Sequence, residues 1–565
     1  MSSAQLGAHL TGEGTAFAVW APRASSVSVL GDFNDWNGDA MQLDPDTGIW
    51  STFVDQANEG QFYKYAIDGS LRADPYAFAA ELPPGAASVI SCSHHIWDEP
   101  AWPGTGPARP VPGRALSIYE VHLGSWRRDG RGRPDFEQLA AYVAELGFTH
   151  VELLPVMAHP FAGSWGYQVT SYFAPSARYG SPDELKLLIE RMHQHGVGVI
   201  LDWVPAHFPD DPWALVRFDG EPLYESGDAT QWNTFAFDYA RPEVREFLIS
   251  SALFWLREFH ADGLRVDAVS SMLPDGAAFL SELTSCVRAQ APAAVVIAEE
   301  STSWPGVTDE NGLGFDFKWN MGWVSDTLDY FRTEPAQRAP QHGKLTFGLM
   351  YAFDEQFVLP LSHDEVVQAR GSLYGQMPGD HREKLANLRL LYAYAWAHPG
   401  KKLLFMGGEL AQTTAWNADS ALPWKLAERP AHAGLQRFVR ELNRVYRSEP
   451  ALWELDGEEG GFAWLDVDGA ERGVIAFARY AKEPKRVLVF AANFSSSALT
   501  DYQLGLPQGD RWRVVIASDE SSPAKLPTLR RPVNNQPFST TLDLPPVSAV
   551  WLVPDAQAPL TALSS

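Results

Sequence analysis

Four carboxylates, Asp202, Asp267, Glu299 and Asp364, stand at or near the carboxyl ends of apolar stretches that read as strands. Two carboxyl groups of different pKa suffice for glycoside chemistry, one attacking the anomeric carbon and the other moving a proton. In the retaining form the two sit about 5 Å apart and a covalent glycosyl intermediate forms. The stretch Gly263-Leu-Arg-Val-Asp267 supplies the attacking group. Alternation along a strand puts Gly263, Arg265 and Asp267 on one face. The guanidinium favours the ionised carboxylate, so Asp267 is the natural nucleophile. Taken alone, such a pair is more often a buried ion pair that only holds a fold together. Four strand-end carboxylates around one mouth crowd negative charge at a cost in stability, and that favours function. Glu299 is the natural acid/base, because Glu300 beside it and an enclosed site would raise its pKa. Which of the two glutamates points inward stays open: Val295 and Ile297 share a face with Glu299, Val296 and Ala298 one with Glu300, and both faces are apolar. His207 and His363 accompany the carboxylates, and no Cys/His cluster suggests catalytic zinc, so no metal or organic cofactor is expected.

Elements that could position these residues alternate between strand and helix. Ser117–Leu123, His150–Pro155 and Val197–Trp203 read as strands, the last a near-continuous apolar run suited to a buried parallel sheet. Phe136, Leu139, Val143 and Leu146 recur at helical spacing, and Gly147 closes that helix. Ser181-Pro-Asp-Glu184 opens the next with an N-cap, a proline at N1 and a capping-box glutamate; it ends at Gly196. Val244, Phe247, Leu248, Trp255 and Phe259 line a helix that leads to Gly263. Strands at 294–299, 314–319, 357–363 and 402–406 complete eight, the pattern of a (β/α)₈ TIM barrel with its chemistry at the carboxyl ends of the strands.

On either side of the barrel the period is two. Short alternating strands before residue 97 predict an N-terminal β-sandwich, and those after about 455 a C-terminal one. The expected fold class is therefore α/β and β multidomain. Its domains are 1–97, a Pro-rich linker at 98–113, the barrel at 114–455 and the second sandwich at 456–565, whose last dozen residues are expected to fray. Trp36, Trp50 and Tyr63 could stack on sugar, with core packing the safer reading for any one of them.

The aromatic content of 12%, with 21 Trp, suits either sugar rings or nucleobases, and the net charge of −26 decides between them. An acidic surface repels phosphate backbones and anionic membranes; a neutral glucan is compatible with it. Cys92 and Cys286 cannot form a disulfide framework and lack a metal-ligand spacing. The first residues carry no basic region followed by an apolar run, and no stretch reaches membrane-spanning length. A cytoplasmic, monomeric protein is expected.

The motifs Asp202-Trp-Val-Pro-Ala-His207, Gly263-Leu-Arg-Val-Asp267, Ala298-Glu-Glu-Ser301 and Leu361-Ser-His-Asp364 resemble, in order, the four signature regions of the α-amylase superfamily. Gly163-Ser-Trp-Gly-Tyr-Gln168, the ending Ala206-His207-Phe208, Phe317-Lys-Trp-Asn-Met-Gly-Trp323 and Lys402-Leu-Leu-Phe-Met-Gly-Gly-Glu-Leu410 narrow the resemblance to the bacterial 1,4-α-glucan branching enzymes. The likeness covers most of the chain, a glycogen-recognition-like N-terminal sandwich included. It implies an α-1,4-glucan or glycogen substrate and transfer of a cleaved chain to a 6-hydroxyl. Asp267 resembles the nucleophile, Glu299 the acid/base and Asp364 the carboxylate that stabilises the transition state. Asp202, His207, Arg265 and His363 resemble the residues that hold the sugar before the scissile bond, and Tyr167 the aromatic that stacks on it. Trp165 and Trp319 are weaker candidates, with core packing at least as frequent for each. Two departures bear on acceptor preference and transferred length: a short segment between Asp267 and Glu299, and the absence of the extra N-terminal module of some members. The alternatives are an amylase-type or trehalose-releasing hydrolase of the same superfamily, or a non-catalytic glucan-binding protein; the second is disfavoured because all three catalytic carboxylates are kept.

Overall fold

The computed structural model describes residues 6–98, 112–130, 132–230, 232–509, 511–519 and 525–555. Most of the expected linker, 99–111, and the C-terminal residues expected to fray lie outside the described residues.

Eight parallel strands close into a barrel: β1 (Ser117–Val121), β2 (His150–Leu153), β3 (Gly198–Trp203), β4 (Gly263–Val266), β5 (Val295–Ala298), β6 (Phe317–Trp319), β7 (Phe357–Leu361) and β8 (Lys401–Phe405), with β8 pairing back to β1. Several are shorter than the sequence suggests. Pairing stops at Ala298 on β5 and at Leu361 on β7, so Glu299, His363 and Asp364 sit on the loops just beyond. The sixth begins at Phe317 and not at Gly314, whose φ of +74° is a left-handed backbone that interrupts a strand.

Local chemistry explains the helices between the strands. Asp135 caps helix Phe136–Glu145 by accepting from the Gln138 amide, and Gly147, at φ +77°, turns the chain out of it. Ser181 and Glu184 form a reciprocal capping box on helix Pro182–Gln194. Helix Pro242–Glu258 buries Val244, Phe247, Leu248 and Trp255 and delivers the chain to β4.

The barrel separates two apolar populations. Ile118, Ile200, Val295, Ile297, Phe317, Trp319, Val358 and Leu403 fill its interior. The alternate residues, such as Val296 and Ala298, pack outward in the large core that also takes in the surrounding helices.

Two sheets make the N-terminal sandwich, one running through Gly14–Trp20 and Ile49–Val54 and the other through Val27–Gly31 and Phe62–Ile67. It is docked on the barrel side by Tyr76 stacked on Phe173 (centroids 4.9 Å) and by Arg23 paired with buried Asp219 at 2.6 Å. A six-stranded sheet including Val474–Tyr480, Val487–Asn493 and Ser548–Pro554 forms the C-terminal unit, with Leu499–Leu506 pairing Phe538–Leu544 over one face. Among the described residues no helix is long and apolar enough to cross a membrane.

Candidate active site

Register places the site. The inward face of β5 reads Val295, Ile297, then Glu299, because Val295 and Ile297 belong to the barrel interior. The same rule aims Asp202 on β3 and Arg265 on β4 at the axis, and the two are paired partners across the strands. Asp267 follows β4 by one residue.

Arg265 is the hub. Its Nη1 donates to Asp202 at 2.8 Å and to Asp267 at 2.7 Å, and its Nη2 lies 3.0 Å from Glu299. Three carboxylates thus surround one buried guanidinium. Trp319 lies beneath it, the guanidinium carbon 4.4 Å from the indole centre, so this tryptophan is fully buried packing and not a sugar platform. Glu299 also accepts the Ala268 amide at 2.8 Å. Ala268 itself is left-handed at φ +51°, an uncommon backbone for a non-glycine residue. That turn aims its N–H at Glu299, beside Asp267, the kind of local strain found at functional sites.

Glu300 goes elsewhere. It is buried against Lys318 at 2.6 Å and accepts from the Thr302 amide and hydroxyl. The two neighbouring glutamates therefore serve different environments, one at the mouth and one in the wall.

The remaining residues singled out from the sequence gather around this hub. The Tyr167 hydroxyl donates to Asp202 at 2.5 Å and lies 3.2 Å from His363 Nε2, with its ring stacked on the imidazole. His207 Nε2 sits 4.0 Å from Asp267 Oδ2. Asp364 stands on a 3₁₀ turn, half-exposed, 3.6 Å from His363 Nε2. Trp165 leans edge-on to His363 and packs on Trp416. In the N-terminal sandwich, Trp50 and Tyr63 are buried and hydrogen-bonded to the Ala21 carbonyl and Asp74, whereas Trp36 stays exposed.

Electrostatics departs from the expectation in one respect. Burial raises the Asp267 carboxyl well above its usual range; Arg265 opposes this, but Glu299 and Asp202 add to it. Burial raises Asp202 as well, against Arg265. One guanidinium does not neutralise three carboxylates, so the cluster tends to keep a proton. His207 is pushed down to about 4 by burial and stays neutral. His363 moves the other way: burial lowers it, but Asp364 and Glu120 together carry it up to about 10.

Three contributors were not singled out from the sequence. Glu120 on β1 accepts from the His363 amide at 2.8 Å and holds Nδ1 of the ring at 2.5 Å. Glu152 on β2 is fully buried, neither of its oxygens has a hydrogen-bond partner among the described residues, and burial beside Glu120 and Asp202 raises it well above the carboxylate range. Trp232, 40% exposed, lies 4.9 Å from the His207 ring. A glutamate in the middle of an otherwise apolar strand was the available signal for the first two. For Trp232 it was an aromatic inside the polar loop Thr230-Gln-Trp-Asn233.

Family models match the carbohydrate-binding module 48 (isoamylase N-terminal domain) over residues 5–77, the alpha amylase catalytic domain over 136–216 and the alpha amylase C-terminal all-beta domain over 464–555. The 1,4-alpha-glucan branching enzyme GlgB of Myxococcus xanthus is 47% identical, with 97% of this chain and 83% of that protein covered. The enzyme of the same name from Mycobacterium tuberculosis is 46% identical over 96% of this chain and 80% of its own length. The chain belongs to the GlgB branching-enzyme family. Solved pullulanases share its fold at low identity. That of Paenibacillus barengoltzii gives a TM-score of 0.77 at 20% identity, covering 98% of this chain and 95% of that one. That of Bacillus subtilis gives 0.78 at 19%, covering 97% and 85%. A large groove of about 950 Å³ between the N-terminal sandwich and helix Pro242–Glu258 lies apart from the carboxylate-lined mouth and includes none of the four carboxylates.

Proposed function

We propose that this protein is a 1,4-α-glucan branching enzyme whose chemistry is carried by Asp267, Glu299 and Asp364. The single arrangement that supports this reading is the Arg265 fork, which holds Asp267 and Glu299 side by side at the mouth of the barrel. Adjacent carboxyls suit the retaining geometry; an inverting pair would stand further apart to admit a water.

When the one proton the cluster keeps sits on Glu299, Asp267 attacks as the carboxylate at the anomeric carbon of an α-1,4-linked glucan. Glu299, protonated, gives its proton to the departing 4-oxygen, and the non-reducing segment stays bound to Asp267 as an ester. The 6-hydroxyl of an acceptor chain then attacks the same carbon. Glu299 takes its proton and the Asp267 carboxylate leaves, so two inversions yield an α-1,6 branch. The total charge of the cluster needs only one proton to move back and forth, which fits three carboxylates sharing one cation. Asp364, on the more open side, faces the positive charge that develops on the sugar ring. Tyr167, Asp202, Arg265, His207 and His363 hold that sugar, with Tyr167 as its platform. No step needs a metal or an organic cofactor. The working domain limits are 1–97, 98–113, 114–455 and 456–565, and the chain works as a cytoplasmic monomer on glycogen-type glucan.

Incubation with amylose tests the reading. A branching enzyme lowers the iodine absorbance, leaves reducing ends nearly flat and yields a product from which a debranching enzyme releases short chains. Reducing ends that rise as absorbance falls would mark a hydrolase and overturn the transfer half of the reading.

A further inference from the structure

Away from the barrel mouth, the N-terminal sandwich brings together a thiol, an imidazole and a carboxylate. Glu59 lies in the turn between Ile49–Val54 and Phe62–Ile67, and Cys92 and His94 follow the last short strand, Ser88–Val89. His94 Nε2 is 2.9 Å and 3.0 Å from the two Glu59 oxygens and 3.5 Å from Cys92 Sγ. One donor atom from each residue lies within 4.8 Å of the other two. We propose that Glu59, Cys92 and His94 form a binding site for a divalent transition-metal ion of the zinc class.

The distances carry the argument. Tetrahedral zinc, with Zn–S near 2.3 Å and Zn–N or Zn–O near 2.0 Å, sets its ligands apart by about 3.5 Å for S to N and about 3.3 Å for N to O. The sulfur and nitrogen already stand at the first spacing, and the imidazole and carboxylate need to part by a few tenths of an ångström. A plain surface ion pair of His94 with Glu59 adds little to stability and does not need a thiol beside it. Thiolate, imidazole and carboxylate together select zinc, cobalt or a similar ion over calcium or magnesium, which take all-oxygen shells.

The loop that carries two of the ligands is held from behind. Asp183, at the start of helix Pro182–Gln194, accepts from the Ser93 hydroxyl at 2.7 Å and the His94 amide at 2.9 Å. Lys186 donates to the same hydroxyl at 3.0 Å. These bonds orient the residues on either side of the metal position, as outer-shell partners do. The local charges are Glu59 and Asp183 against Lys186, and a bound dication would displace the proton of the Cys92 thiol. Three protein ligands leave a fourth position for water, in keeping with the exposure of Glu59 and His94. A bound ion would clip the sandwich turn to a segment already fastened to a barrel helix, and its role is to secure that junction. The chain-transfer reaction does not pass through it.

Cobalt reports on a thiolate ligand directly. The full-length chain, stripped with a chelator and kept reduced with a phosphine, is titrated with Co²⁺. The expected result is a thiolate-to-cobalt charge-transfer band that saturates at one equivalent and is displaced by Zn²⁺. Cys92→Ser abolishes the band, His94→Ala weakens binding at least tenfold, and Cys286→Ser leaves both unchanged. Zn²⁺ raises the thermal midpoint of the wild type and leaves that of Cys92→Ser where it was, while branching of amylose continues at the same rate in all variants. Absence of the band, its survival in Cys92→Ser, or wild-type affinity in His94→Ala overturns the site. Because the readout is spectroscopic, it stands or falls independently of the assigned reaction.

Discussion

Two buried clusters of the barrel contain the same kinds of side chain and treat a carboxylate in opposite ways. At the mouth, Arg265 serves Asp202, Asp267 and Glu299. At the far seam, where the barrel meets the C-terminal sheet, Asp456 alone is held by Lys401 at 3.0 Å and Arg479 at 2.6 Å, with a further hydrogen bond from the Gly400 amide. Burial acts on both aspartates. At the seam it is overcome by Lys401, Arg479 and Lys402, and Asp456 is held well below the usual carboxylate range. At the mouth burial prevails, reinforced by like charge, and Asp267 is held well above it. Arg479 also donates to the carbonyls of Ala397, Gly461 and Leu452, so the seam is closed off. The mouth keeps buried atoms without a hydrogen-bond partner among the described residues, Arg265 Nε and His207 Nδ1 among them. An over-satisfied aspartate stabilises a junction; an under-satisfied one, open on one side, lacks the counter-charge that would fix its ionised form.

Breaking each cluster should separate activity from stability. Asp267→Asn is expected to lower branching on the order of 10⁴-fold or more. The protein should melt no lower than the parent at pH 7. A folded-state pKa raised above the unfolded value means that the ionised group costs stability above the unfolded pKa, and the amide removes that cost. A fall of several degrees in the midpoint would show that Asp267 is structural after all. Asp456→Ala is the converse. It strands Lys401 and Arg479 without their counter-ion and should cost about 3–5 kcal/mol in urea unfolding, while the folded fraction keeps its specific activity. Because the folded-state pKa of Asp456 is depressed, its contribution is present above the unfolded pKa and is lost as pH falls below about 4 toward the lower folded value. The difference between parent and variant should shrink there.

Glu120→Gln probes the link between the two behaviours, since Glu120 is a fully buried carboxylate that serves the mouth by holding His363. Loss of a hydrogen bond to a charged group predicts a fall in turnover of about 10- to 100-fold. It also removes one of the two anions that hold the imidazolium near pH 10, so the alkaline decline in activity should begin at lower pH. An unmoved alkaline limb would mean that His363 charge does not matter. The smallest effect is expected at Glu152. Its carboxyl has no partner to lose, so Glu152→Gln should change the rate by less than about twofold, within the range of a neutral swap. A gain in thermal midpoint that is larger at pH 7 than at pH 4 is expected, because only at the higher pH does the raised pKa cost stability.

Much of this was legible without coordinates. The alternation of apolar runs and capped helices gave eight strands in order, and Ser181, Pro182 and Glu184 announced a helix start that hydrogen bonds complete. The pairing of Arg265 with Asp267 followed from a period of two. Glu299 and Glu300 could not be told apart from the residues alone, since both faces of β5 are apolar. Nor could Glu120 and Glu152, 32 residues apart on neighbouring strands, be seen to lie side by side in register.

The sequence by itself determined which segments pair and cap, because periodicity, turn residues and caps act over a few positions of chain. It also determined the kind of chemistry, because carboxylates at strand ends in a barrel converge wherever the barrel closes. Only the tertiary structure decided which apolar face of each strand became the interior, and with it which glutamate met Arg265 and which met Lys318. It alone decided the ratio of cations to anions around each aspartate. Charge interactions depend on distance and burial, and neither is fixed until strands distant in sequence have been brought together.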